Sequence, residues 1–372
     1  MSMAAIIFLA SSCAVPGQKP SYRTVIIHND SPRLDAKGEI VDAHDGNLQF
    51  FNGRYYLYGT AYGKTAGFSI NNRFRAYSSA DLEHWTYEGE LLKAPTDGVY
   101  YRPYVVYNST THKYVLWYNW YPKLWDGQVG VATSDTPAGP FTIVDPNVHL
   151  SQAADHPGDG SLFVDRDNTA YFIYTVIGQD HAIRVEKLSA DYLSSSGESS
   201  PILATGCEAP SLFRVEDTYY ALFDSTCCFC SAGSGARIYN ASSPLGPYTQ
   251  LANINRDVGN RPIINAQQTF VATIPTADGP VMMWMADRWG SRPDRIKGHD
   301  FQYWSPLHIS ADGNIATMAY TPDWSLPIRI GARPSPAKKL YSWPKKSDPN
   351  PITVDPCTRA TLSPIEAGTV LP

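Results

Sequence analysis

LQFFNGRYYLYGT (Leu48–Thr60), VVYNSTTHKYVLWYN (Val105–Asn119), LFVDRDNTAYFIYT (Leu162–Thr175), LFRVEDTYYALFDS (Leu212–Ser225) and FVATIPTADGPVMMWMAD (Phe270–Asp287) share one plan. Each is an apolar run, a turn, and a second apolar run rich in tyrosine. The turns read Asn-Gly, Thr-His-Lys, Asp-Asn, Glu-Asp and Asp-Gly, so each stretch predicts a β-hairpin. The second-run positions Tyr55, Tyr114, Tyr171, Tyr219 and Val281 lie 59, 57, 48 and 62 residues apart. Periods of this size belong to radial or stacked repeats.

More strand-like segments follow the hairpins. Phe74–Ser79 with His84–Glu88, and Val129–Ser134 with Phe141–Val144, complete the first two units. Ile183–Leu188 continues the third, and Arg237–Asn240 with Tyr248–Leu251 completes the fourth. A turn-then-aromatic step recurs at 81–85, 136–141 and 243–248. Four strands per unit and five units give an all-β, five-bladed β-propeller. A double β-sandwich would not explain the regular period. Helical periodicity is missing over any long window.

Composition agrees. The 372 residues are 43% hydrophobic and only 17% charged, which excludes a disordered chain. With 27 Gly, 29 Pro, 24 Tyr and 9 Trp, the profile is that of short strands and turns. Net charge is −5 and no Lys/Arg run stands out, so neither a nucleic-acid partner nor a charged membrane surface is expected. GxSxG, HExxH, P-loop and post-strand GxGxxG motifs do not occur.

Residues 1–16 have the apolar core and small-residue tail of a secretory signal without its basic start, and are too short to span a bilayer. An extracellular, monomeric protein is the expectation, with a propeller from Thr24 to Ile330 and an irregular tail over 331–372. The cysteines are Cys13, Cys207, Cys227, Cys228, Cys230 and Cys357. The 227–230 cluster has no second CxxC to complete a zinc site. Disulfides are expected instead, Cys207 with one of the cluster first, and Cys357 pinning the tail. Sequons occur at Asn29, Asn108 and Asn240.

The residues just before each first strand fall into register. They are His44-Asp45-Gly46-Asn47, Tyr101-Arg102-Pro103, Gly158-Asp159-Gly160-Ser161, Glu208-Ala209-Pro210-Ser211 and Asn265-Ala266-Gln267-Gln268. In a propeller the first strands line the axis, so these starts converge on one end of the channel. Three of them are acids: Asp45, Asp159 and Glu208. Three acids around one cavity repel, and at least one pKa should rise. One protonated and one ionised carboxyl are what glycoside hydrolysis requires.

These motifs, across roughly Ile40 to Pro327, resemble glycoside hydrolase family 43. The resemblance implies Asp45 as general base, Asp159 as the acid that tunes and orients, and Glu208 as general acid. The family commonly has proline after the two aspartates, where this chain has Gly46 and Gly160. A narrower likeness is to the exo-β-1,3-galactanase branch, carried by Gln267, by Asp287-Arg288-Trp289 and by Arg102-Pro103. That branch usually has glutamate where Tyr101 stands, and often lacks an acid at Asp45. Substrate identity stays open among galactosides, arabinofuranosides and xylosides of plant-type polysaccharides.

Around the acids, Tyr101, Trp120, Trp125 and Trp289 are candidate sugar platforms. Arg102 and Arg288 are candidates to grip hydroxyls or hold a carboxylate, and His44 to orient Asp45. No metal ligand set is expected, although relatives leave room for a structural calcium in the channel near His308. A carbohydrate-binding propeller without catalysis is the rival reading. Binding alone does not need the acid triplet.

Overall fold

The computed structural model describes residues 21–152, 156–227, 229–230 and 234–330. The expected leader and tail, with Cys13 and Cys357, lie outside the described residues, as does Cys228. Four sheets repeat one antiparallel meander. Blade one is β2 (His44–Phe51), β3 (Arg54–Ala61), β4 (Arg73–Ser79) and β5 (Trp85–Glu90). Blade two is β6 (Val99–Asn108), β7 (Lys113–Tyr121), β8 (Gln128–Ser134) and β9 (Thr142–Asp145). Blade three is β10 (Pro157–Val164), β11 (Ala170–Val176), β12 (Ala182–Leu188) and β13 (Ser195–Ser199). Blade four is β14 (Cys207–Val215), β15 (Thr218–Ser225), β16 (Arg237–Ala241) and β17 (Thr249–Asn253).

The hairpins form where the sequence places them. In the first, Asn52 (φ 51°) and Gly53 (φ 82°) take the two left-handed positions of a tight turn, and Phe51 pairs with Arg54. The five inner strands are tied to one another by side chains. Asn47 exchanges two hydrogen bonds with the Val105 backbone (3.1 and 3.2 Å), and the Tyr104 hydroxyl donates to the Thr269 carbonyl (2.6 Å). The Ser161 hydroxyl donates to the Pro210 carbonyl, and the Ser211 hydroxyl accepts from the Val271 N–H. Between blades the filling is aromatic, as in the Trp117–Phe172 contact at 4.9 Å. Each such buried ring contributes about 1.5–3 kcal/mol of apolar burial.

Blade five departs from the four-strand expectation. Only β18 (Gln267–Thr276), β19 (Gly279–Arg288) and β20 (Phe301–Pro306) form its meander. Beyond them, β1 (Ser21–His28) and β21 (Asp323–Ile330) pair with each other along their full lengths. This ribbon joins β18 through Thr276 and Ile328, giving the order β1-β21-β18-β19-β20. The cause is the alternation in β1: Val25 and Ile27 enter the core shared with Tyr55 and Trp85, while Tyr22 and Ile26 face out. Arg23 then fastens the ribbon to blade one through Asp81 (2.9 Å) and Glu83 (2.6 Å). The two ends of the propeller thus close the ring.

A further expectation changes. The disulfide lies within the cluster, Cys227 to Cys230, while Cys207 is a buried free thiol donating to the Thr205 carbonyl. Cys207 pairs with Ser225 next to the cluster, but its side chain packs in a blade core with Ile183 and Phe223. Asn29 and Asn108 are fully buried, and their amides donate to backbone carbonyls, so neither sequon presents a free acceptor. Among the described residues, no helix is long and apolar enough to cross a membrane.

Candidate active site

Every inner strand breaks register once, near its start. The breaks lie between His44 and Asn47, Tyr101 and Pro103, Pro157 and Gly160, Glu208 and Ser211, and Gln268 and Phe270. A bulge leaves one residue unpaired and re-aims its side chain. Here the backbone passes through the left-handed region at Asp45 (φ 59°), Arg102 (φ 54°) and Ala209 (φ 56°). Each such non-glycine residue costs about 1–3 kcal/mol, which the surrounding sheet must offset. The glycines beside the aspartates are required by close approach. A Cβ on Gly46 would lie 1.7 Å from the Tyr58 carbonyl oxygen, and one on Gly160 would lie 2.1 Å from the Phe172 ring.

A ring of hydrogen bonds holds the bulges. A polar side chain near the end of a second strand accepts an N–H from the next blade's bulge. Thr60 takes Arg102 N–H (3.2 Å), Asn119 takes Gly160 N–H (3.1 Å), Asp224 takes Gln268 N–H (3.1 Å) and Asp287 takes Asp45 N–H (2.8 Å). In the remaining step Asp159 itself accepts from Ala209 N–H (3.1 Å). The five strand starts therefore do meet at one end of the channel.

Asp45 is buried and accepts a short hydrogen bond from the Tyr62 hydroxyl. Burial raises its pKa. Arg102, Tyr62 and His44 oppose that while Asp287 adds to it, and the result is about 6. His44 binds Asp287 through Nδ1 (2.9 Å). Burial alone would lower its pKa, but Asp287, with Asp42 and Asp300, raises it to about 9. His44 is therefore a buried imidazolium beside Asp45.

Glu208 accepts two N–H groups on one oxygen, Oε1: Cys227 N–H at 2.9 Å and Gln267 Nε2 at 3.0 Å. Burial and the neighbouring Asp159 raise its pKa, and those two donors with Arg102 bring it back to about 8. The filled Oε1 leaves Oε2 to carry the proton. Asp159 is held by Arg102 Nε (2.9 Å). Burial works against the Arg102 charge, but Asp159, with Asp45 and Asp224 nearby, raises its pKa well above the usual value. One guanidinium thus serves the whole cluster.

Aromatic side chains wall the site. Trp289 donates its indole N–H to Gln267 (2.8 Å) and lies 5.2 Å from the His44 ring and 5.5 Å from Tyr62. Phe229 meets Trp289 at 5.1 Å and Phe68 at 5.2 Å, and Phe68 in turn meets Trp125 at 6.2 Å. Trp125 is the exposed end of this lane, 46% accessible. Tyr101 is buried in the same lane, stacked on Tyr121 at 4.9 Å.

Of the residues singled out in sequence, Asp45, Asp159, Glu208, His44, Arg102, Gln267 and Trp289 come together. Tyr101 and Trp125 flank them. Trp120 and Arg288 stand elsewhere. Trp120 is buried between blades one and two, stacked on Tyr100 and donating to the Pro146 carbonyl. Arg288 points away to Asp30 and Tyr320, because β19 alternates and Asp287, not its neighbour, faces the channel.

Sequence reading missed Tyr62, Asp224, Asp287, Lys297 and His181 as site residues. Asp224 is fully buried opposite Glu208 in the β14–β15 ladder, and burial with Glu208 nearby raises its pKa well above 3.8. Lys297 sits over Phe229 (3.8 Å) and Trp289 (4.1 Å), and burial lowers its pKa to about 8. His181 Nδ1 lies 3.9 Å from Glu208 Oε2. The signal for Asp224 and Asp287 was a polar residue ending an otherwise apolar second strand. Among the described residues, the one group spaced as metal ligands is Asp81, Glu83 and His84. It lies on blade one's outer turn, where Arg23 already neutralises it.

A family model described as glycosyl hydrolases family 43 matches residues 40–286. An arabinoxylan arabinofuranohydrolase of Bacillus subtilis (strain 168) is 26% identical over 262 residues, 56% of this chain and 49% of the relative. The chain thus spans about half the length of the curated relative it matches. Among solved structures, a family 43 β-1,3-galactosidase superposes with TM-score 0.71 at 25% identity, covering 82% of this chain and 64% of the other. An exo-β-1,3-galactanase from Clostridium thermocellum gives 0.69 at 24% identity, over 82% and 67%. The second is a likeness of fold.

Proposed function

The chain belongs to glycosyl hydrolases family 43, and on that premise we propose that it cleaves O-glycosidic bonds of plant-type polysaccharides or their side chains, with inversion. One observation carries the reading: from equivalent bulges, Asp45 faces the Tyr62 hydroxyl donor and Glu208 holds two N–H donors on a single oxygen, and their surroundings raise the pKa values to about 6 and about 8. At neutral pH the first is an ionised base and the second a protonated acid, the division of labour that glycoside hydrolysis uses. Asp45 takes a proton from water as the water oxygen bonds to the anomeric carbon. The glycosidic C–O bond breaks, and its oxygen takes the proton from Glu208 Oε2. Asp159, held by Arg102, keeps Glu208 protonated and in place.

Substrates fall among galactosides, arabinofuranosides and xylosides. β-1,3-linked galactan is the first to test, because the structures superposed above act on that linkage by name. The Cys227–Cys230 disulfide supports action outside the cell. A second reading has its own observation: Gln267 bonds both Glu208 and Trp289, the galactanase-like arrangement in which Asp45 is not the base. Aryl galactoside, arabinofuranoside and xyloside, with β-1,3-galactan, should reveal one cleaved substrate. Proton NMR of the first-formed sugar should show the inverted anomer. Retention, or an Asp45→Asn variant of normal activity, removes Asp45 from its role; binding without cleavage anywhere leaves a carbohydrate-binding propeller.

A further inference from the structure

One turn after β15 reaches the site in two ways at once. The Cys227 N–H donates to Glu208 Oε1 at 2.9 Å. Two residues on, Phe229 adopts φ 62° and turns its ring into the pocket. That ring meets Trp289 at 5.1 Å, Phe68 at 5.2 Å and Tyr62 at 5.6 Å, each edge-on, and the Lys297 ammonium lies 3.8 Å from its centroid. The Cys227–Cys230 disulfide spans Phe229 and fixes the two Cα atoms 5.8 Å apart. A left-handed aromatic residue is strained and needs its surroundings to hold it.

We propose that the disulfide-closed turn Cys227–Cys230 is a positioning element of the site. It aims a backbone N–H at the acid carboxyl and holds Phe229 as a wall that selects which sugar ring enters. The proposal rests on Glu208 being the general acid. Its two parts are separable. The amide acts on Glu208 and therefore on kcat and its pH dependence. The ring acts on substrate fit and therefore on KM and on the ranking of substrates.

The test uses the whole chain and the substrate found in the glycoside panel. In Cys227→Ser/Cys230→Ser the amide loses its covalent restraint. Misplacement of a reacting group by about 1 Å costs on the order of 100-fold, so kcat should fall by about 10- to 100-fold. The basic limb of the pH profile should move up, since a donor that favours ionised Glu208 has gone. Phe229→Leu, with the disulfide intact, should raise KM and change the substrate ranking without moving that limb. If the double variant does not fold, a water-soluble phosphine applied to the folded wild type replaces it. The phosphine supplies two electrons and water supplies the oxide oxygen and two protons, so the products are the phosphine oxide and two thiols; the same limb should move, and should return when a small-molecule disulfide accepts the two electrons and re-forms the bond. A basic limb unmoved after the disulfide is opened overturns the proposal, as does an unchanged substrate ranking in Phe229→Leu. Glu208→Gln separates the failures: if it alone is inactive, only the positioning element is wrong, and if it is active the acid assignment falls first.

Discussion

The blade-one and blade-four ends of the channel mouth use the same backbone device and reach opposite protonation states. Asp45 and Glu208 both stand at bulges of inner strands, Asp45 buried and Glu208 half-buried. Burial pushes both pKa values up. The difference lies in what faces them. Asp45 has a hydroxyl donor in Tyr62, a buried imidazolium in His44 and the Arg102 cation within reach. Glu208 has two N–H donors, but the Asp159 carboxyl beside it raises its pKa, and Asp224 lies opposite it in the ladder. Glu208 is the less buried of the two acids and still the one raised further, so neighbouring charge decides between them, and the repeat supplies only the slots.

The comparison breaks most visibly in kinetics. Glu208→Gln should lower kcat by about two to four powers of ten on substrates with poor leaving groups, the usual worth of general acid catalysis. The loss should shrink for dinitrophenyl glycosides, whose leaving group needs no proton. Asp45→Asn should harm both substrates alike, because water activation is needed in either case. Equal leaving-group sensitivity in the two variants would erase the distinction between the blades. Next comes Arg102, the cation shared by both ends. Arg102→Met leaves the half-buried Asp159 without its partner; breaking a fully buried pair costs about 3–5 kcal/mol, and this one, with Asp159 16% exposed, should cost somewhat less. Urea unfolding should show a loss of that order, whereas Arg288→Ala, on the outer edge, should leave kcat/KM within about twofold.

The blades were legible because hairpin turns and apolar runs are local: Leu48–Thr60 pairs as β2 and β3 with its Asn-Gly turn at the tip. The three acids were legible because they recur three or four places before those runs. The closure of blade five was not, since β1 and β21 are about 300 residues apart and only the alternation of Val25 and Ile27 marks them. The tuning residues were illegible for a similar reason. Tyr62 and Asp287 act on Asp45 from other strands and blades, and no spacing in the chain encodes that meeting. Arg288 misled because Asp-Arg-Trp puts adjacent residues on opposite faces of a strand.

Stability against pH sharpens the same contrast. Glu208 at about 8 lies above its ordinary 4.5, and Asp45 at about 6 above 3.8. The folded state therefore holds protons that the unfolded chain releases, and stability falls as pH rises through those windows. His44, raised from 6.5 to about 9, adds stability that is complete below 6.5 and lost as pH rises through 9. All three terms act in one direction, so the melting temperature should drop between pH 5 and pH 9. Glu208→Gln removes the cost of ionising one buried acid. Its melting curve should match the wild type at pH 4 and exceed it by a few degrees at pH 9. A variant that gains equally at both pH values would mean that Glu208 titrates normally.

The smallest effect isolates a single hydrogen bond. The Tyr62 hydroxyl donates to Asp45 and so favours the ionised carboxylate. Tyr62→Phe keeps the ring against Trp289 and Phe229 and removes only that donor. The Asp45 pKa must then rise. A hydrogen bond to a charged group contributes about 1.5–3 kcal/mol, and 1.36 kcal/mol corresponds to one pH unit. Water entering the gap will restore part of this, so a shift of about one unit is expected. In the kcat/KM profile the acid limb, near 6 in the wild type, should move towards 7, while the basic limb near 8 stays in place. The productive window narrows from the acid side alone. Movement of the basic limb instead would mean that the acid and base have been assigned to the wrong blades.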